Sequence, residues 1–189
     1  QVLLEAADVA EFGEQVAGVP GVESSSVRSD KARVLGKTTS VTGLDEATIE
    51  RFYRFRFSES EPTAVSALGH GGAIVRKSFA DTHHLDVGDP LRMVSPSGKT
   101  LRLRVSGILD QGKFDLDPLL GTVMISQARF DRTFPRAADL YTFVNSPPVA
   151  PALASELLAR GAERFPGVKI STRDEFVASR SNGITQILN

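Results

Sequence analysis

Val2, Val9 and Val16 recur at seven-residue intervals, with Phe12 and Val19 forming a second series. This spacing predicts an amphipathic helix over about residues 2–18, broken by Gly18-Val19-Pro20-Gly21. Weak alternation at Val22, Ser24, Ser26 and Arg28 predicts a strand, and a second is expected from Ala32 to Val41. Asp45 can cap a short helix running to about Arg51. Tyr53-Arg54-Phe55-Arg56-Phe57 alternates strictly and reads as a strand. Ser58-Glu59-Ser60-Glu61-Pro62 then breaks the composition and is expected to mark a boundary.

Beyond that break the pattern is mainly β. Ala73-Ile74-Val75 precedes a short polar helix around Lys77 to His83 and the turn Val87-Gly88-Asp89. Leu91 to Ser95 and Thr100 to Leu109 read as strands joined by Pro96-Ser97-Gly98-Lys99. In the second of these, Leu101, Leu103 and Val105 point one way while Arg102 and Arg104 point the other, predicting a hairpin with one wet face. A loop is expected from Phe114 to Gly121. Val123-Met124-Ile125 reads as a short buried strand, after which Ser126 caps a helix carrying Phe130 and Phe134. A strand around Tyr141 and Phe143 ends at Ser146-Pro147-Pro148, and Pro151 suits the first turn of a helix with Leu153, Leu157, Leu158, Ala162 and Phe165 as its apolar stripe.

Val19-Pro20-Gly21-Val22 is echoed by Phe165-Pro166-Gly167-Val168, each time between a predicted helix and a strand, the second strand being Lys169 to Thr172. Proline ends the helix and glycine permits the reversal that lays the next strand beside it. The expected fold class is therefore α+β: a helix-on-sheet layer formed by the two chain ends, with a β-rich inserted part between them. The expected division is residues 1–62 and 138–189 against 63–137. Thr172 and Glu175 fit a capping box, and Phe176, Arg180, Ile184, Ile187 and Leu188 keep helical spacing to the last residue. This predicts a helix that continues beyond Asn189, just as a start at Gln1 suggests that something precedes it.

Composition narrows the chemistry. The 189 residues carry 22 Lys+Arg against 23 Asp+Glu, for a net charge of −1. A dedicated nucleic-acid or anionic-membrane binder would draw its affinity mainly from excess Lys and Arg, so neither kind of binder is expected from the overall charge. With no cysteine, thiolate-ligated metals and cysteine nucleophiles are excluded. No apolar run approaches the roughly 18 residues needed to span a bilayer.

The candidate chemical groups are few. His83-His84, flanked by Asp81, Asp86 and Asp89, has metal-ligand residue types, but adjacent positions on a helix point about 100° apart. Gly69-His70-Gly71-Gly72 lacks the Gly-x-Ser-x-Gly elbow of an esterase and completes neither phosphate-loop pattern, so it reads as a turn. Arg51 to Phe57 interleaves cations with aromatics as single-strand binders do, but at this net charge it reads better as a half-buried strand. Asp115 and Asp117 lack the spacing of a calcium loop and read as loop caps. No catalytic, cofactor-binding or metal-binding residue is assigned.

Several stretches, in order, resemble the periplasmic core domain of FtsX/MacB-like ABC transporter permeases. They are Val16-Ala17-Gly18-Val19-Pro20-Gly21-Val22, Val41-Thr42-Gly43-Leu44-Asp45, and Gly71-Gly72-Ala73-Ile74-Val75 with Ser78-Phe79-Ala80. Leu85-Asp86-Val87-Gly88-Asp89-Pro90-Leu91 and Leu103-Arg104-Val105-Ser106-Gly107-Ile108 continue the pattern. Arg180-Ser181-Asn182-Gly183-Ile184-Thr185-Gln186-Ile187-Leu188 is similar to the approach to the family's second transmembrane helix. The resemblance implies a domain outside the cell membrane, with a porter-like α/β part and a β-rich insertion. It implies no enzymatic activity and no cofactor. The implied partners are a cytoplasmic ATPase subunit acting through the membrane part of the parent permease, a second permease copy in a dimer, and an extracytoplasmic partner protein or substrate. Two competing readings are a secreted or surface metal-dependent hydrolase built on His83, His84 and the nearby aspartates, and an autonomous extracellular ligand-binding module.

Overall fold

The computed structural model describes residues 2–5, 23–110, 120–134, 139–145 and 169–172. By compactness the chain divides into one unit of residues 1–26 and 138–189 and another of residues 27–137. Residues 27–62 thus pack with the central unit.

In the first unit, β1 (Val2–Glu5) lies antiparallel to both β9 (Asp139–Asn145) and β10 (Lys169–Thr172), with Leu3 opposite Phe143 and Ser171. The sequence is expected to start in a helix; residues 2–5 form a strand instead. Val2-Leu3-Leu4 is a continuous apolar run that two distant strands pair from either side, and such long-range pairing overrides a local helical period. The remainder of that expected helix, the turn at 18–21, the helix after Pro151 and the terminal helix all lie outside the described residues. β9 and β10 occupy the stretches expected to be strands. Tyr141, Phe143 and Val144 are buried, and the buried Thr142 hydroxyl meets that of Ser26 at 3.0 Å.

The second unit is organised by a closed sheet. β2 (Glu23–Val34) forms a hairpin with β3 (Lys37–Leu44); β3 runs parallel to β8 (Val123–Ser126), and β8 pairs antiparallel with β5 (Gly72–Arg76). β5 runs parallel to β7 (Thr100–Leu109), β7 pairs with β6 (Pro90–Val94), and β6 returns to β2 through Arg33↔Val94 and Val34↔Met93. These six strands form a ring without a free edge. The short β4 (Phe57–Ser60) pairs with the far end of β7. Alternation fills the interior: Val34, Val41, Val75, Leu91, Met93, Leu101, Leu103, Val105 and Val123 join one buried cluster. Two short helices, α1 (Lys77–His83) and α2 (Gln127–Thr133), add Phe79, Phe130 and Phe134 to it.

Two sequence expectations shift here. The strands expected at 22–28 and 32–41 are one strand to Val34, a two-residue turn and a second strand. The turn, Leu35-Gly36, has positive φ at both residues (48° and 84°), and leucine is a weak signal for that geometry. Tyr53–Arg56 is not a strand; β4 begins only at Phe57. The expected alternation of exposure survives, with Tyr53, Phe55 and Phe57 half-buried and Arg54 and Arg56 exposed. The rings pack on one another, at 4.9 Å for Tyr53–Phe55 and 5.8 Å for Phe55–Phe57, without a strand ladder.

Candidate functional site

The residues with metal-ligand chemistry are dispersed by local structure. His83 ends α1 with its ring 4.4 Å from that of Phe79, whereas His84 takes a left-handed conformation (φ 52°) that caps the helix. Asp81 accepts from Lys77 Nζ at 2.8 Å with both carboxylate oxygens, and this hydrogen bond holds the Lys77 ammonium above its ordinary pKa. Asp89 accepts from the backbone N–H of Asp86 at 2.9 Å, closing the turn around Gly88. Among the described residues no three acidic or histidine side chains gather around a common point. Gly69 and His70 end a 3-10 helix (Ser66–His70), Gly71 supplies its left-handed stop at φ 94°, and Gly72 opens β5. Asp115 and Asp117 lie outside the described residues.

What the central unit does contain is a set of stiff braces. Arg76, at the end of β5, is buried and aims its guanidinium at two backbone oxygens: Nε donates to Gly121 O at 3.0 Å and Nη2 to Leu120 O at 2.6 Å. Thr42, buried in β3, accepts from Gly121 N at 2.7 Å, and Ser40 accepts from Thr122 N at 2.9 Å. The entry to β8 is therefore clamped from two neighbouring strands. Ser106 interrupts the β5–β7 register between Ala73↔Val105 and Ile74↔Gly107, and its hydroxyl lies 3.0 Å from Ala64 O and 3.3 Å from Ala73 O. Ser126 caps α2 by accepting from Arg129 N at 3.3 Å, as its position in the sequence predicts. Asp45 likewise caps the turn after β3, accepting from Ala47 N and the Thr48 hydroxyl. The bracing roles of Arg76, Thr42 and Ser106 escape sequence reading, because their partners lie 33 or more residues away.

These side chains brace the sheet by bonding to backbone groups. The α+β architecture is shared with solved extracellular and periplasmic domains of two transporters. No protein-family model matches the chain, nor does any curated protein, but solved structures do. The extracellular domain of the noncanonic ABC-type transporter YknZ from Gram-positive bacteria superposes with a TM-score of 0.62 at 11% identity, covering 91% of this chain and 100% of that one. The periplasmic region of MacB from Actinobacillus actinomycetemcomitans gives 0.63 at 10% identity, over 96% and 92% of the two chains. A domain of a permease protein from Porphyromonas gingivalis gives 0.53 at 15% identity, over 89% and 85%.

Proposed function

We propose that this chain is the extracytoplasmic domain of an FtsX/MacB-like ABC transporter permease. The observation that carries the reading is the extent of the likeness: almost the whole chain superposes on almost the whole of two transporter domains. In this role the domain performs no chemistry. It relays closure driven by cytoplasmic ATP hydrolysis to the outside of the membrane, where a substrate is exported or extracted. Its partners are the ATPase subunit, reached through the membrane part of the parent permease, and a second permease copy. Such a relay needs elements that move without deforming, and the clamped entry to β8 and the edgeless ring of strands support it. The part formed by the chain ends is porter-like, and the compact unit of residues 27–137 supports an inserted β-rich part.

The test is made on the native gene product. Hydrophobic spans of about 20 residues should flank this domain. The product should sediment with membranes, and protease added to intact spheroplasts should cleave it. A freely diffusing product that turns over a substrate unaided overturns the proposal.

A further inference from the structure

The outer surface of the closed sheet separates charge. The pairs Arg33↔Val94 and Val34↔Met93 join β2 to β6, and Val34 and Met93 are fully buried, so Arg33 and Val94 point outward. Lys31 lies two residues before Arg33 on the same face, and Arg92 two residues before Val94. Arg92 stands directly opposite Arg102 on β7. Lys31, Arg33, Arg92 and Arg102 are all exposed, and none has an ion-pair partner among the described residues. Like charges directly opposite one another on a sheet are destabilising. In a chain with 22 cationic and 23 acidic residues, this grouping is a local feature.

A second, independent oddity adjoins it. Leu35, at the tip of the β2–β3 hairpin, is the exposed large hydrophobic residue among those described, at 39%. It adopts φ 48°, a region that suits asparagine or glycine and strains a bulky side chain. Its N–H donates to Arg92 O at 3.3 Å, tying the tip to the cationic strand, and exposed Lys37 follows the turn. Between this hairpin and the β6–β7 turn lies an open hollow of about 310 Å³, lined by Lys31, Arg33, Val94 and Pro96 among others.

We propose that this face docks on the anionic headgroups of a lipid bilayer, with Leu35 entering its apolar layer. The cations are spread side by side over three strands about 4.8 Å apart, an arrangement that suits distributed negative charge better than one bound ion. A bilayer also offers the exposed leucine an apolar layer directly beneath that charge. The proposal rests on the position beside a membrane proposed above, but its test does not depend on the parent gene. If vesicles fail to bind while the native product is membrane-anchored, only this inference falls.

The 189-residue protein should be sedimented with vesicles of phosphatidylcholine alone, and with vesicles containing about 30% phosphatidylglycerol. Binding is expected to the anionic vesicles only, weakening about tenfold or more between roughly 50 and 500 mM salt as screening shortens its range. Combining Arg33→Glu with Arg92→Glu should lower affinity at least about tenfold. Leu35→Asn should weaken binding about threefold while raising the melting temperature, because asparagine suits the turn; a purely structural leucine would not separate these readouts. Equal binding to neutral vesicles, or insensitivity to the charge reversals, overturns the proposal. So does displacement by inorganic phosphate at constant ionic strength, which would mark a discrete phosphate site. Binding to polyglutamate without binding to anionic vesicles would mark an acidic protein partner and overturn it equally.

Discussion

Gly43 of β3 lies against Phe130 of α2 so closely that a Cβ on the glycine would sit 2.8 Å from both Phe130 Cβ and Cγ. Phe130 is fully buried and stacks on Phe134, with ring centroids 4.2 Å apart, so the ring has little room to retreat. The absent side chain is what lets α2 rest on the sheet. Gly43→Ala should therefore destabilise the protein by about 1–3 kcal/mol, the usual range for forcing a methyl into a packed core. Chemical denaturation checks this. Adding Phe130→Leu should cost less in the Gly43→Ala background than in the wild type, since the two changes share one space.

Arg76 is expected to matter through its planar fork. Arg76→Met should cost about 2 kcal/mol, because Leu120 O and Gly121 O lose donors in a buried setting. Arg76→Lys should recover less than half of that, since a single ammonium cannot reproduce two donors held in one plane. Hydrogen exchange at the amides of Gly121 and Thr122 should speed up in both variants.

Ser126 starts α2 as its N-cap. Ser126→Ala removes the acceptor for Arg129 N and should lower stability by about 1 kcal/mol, with Ser126→Asp close to wild type. Thermal melting of the three proteins gives the comparison.

The Lys77–Asp81 pair has a defined pH signature. The Asp81 hydrogen bond raises the Lys77 pKa in the folded state above 10.5, so its stabilising effect is fully present below pH 10.5 and is lost as pH rises through the higher folded value. Both side chains are exposed, so the effect is small. Melting curves of wild type and Asp81→Asn should differ slightly at pH 7 and converge under strongly alkaline conditions.

Much of the central unit is legible in the chain because its signals are local. The alternation of Leu101, Arg102, Leu103 and Arg104 marks both the strand and its wet face, and Thr100–Leu109 is the strand observed. Ser126 announces α2, and the limits expected for α1 from Lys77 to His83 are those found. The aromatic alternation from Tyr53 to Phe57 also predicts which side chains are covered, although it misassigns the backbone there. Burial period and hydrogen-bond ladder are separate properties, and the sequence reports only the first.

Only the tertiary structure decided that β6 meets β2, closing the ring, and that Arg33, Arg92 and Arg102 share one outer face. Register between strands some 60 residues apart depends on which neighbours each strand finds, information that no local window of residues contains. The same holds at Val2–Glu5, where pairing with residues 141–144 and 169–172 replaces an expected helix by a strand. The sequence by itself determined the α+β class, the alternating burial of the strands and the Ser126 cap of α2. Those properties arise from side chains within one or two turns of each other; closure and surface charge arise from chain segments that meet only on folding.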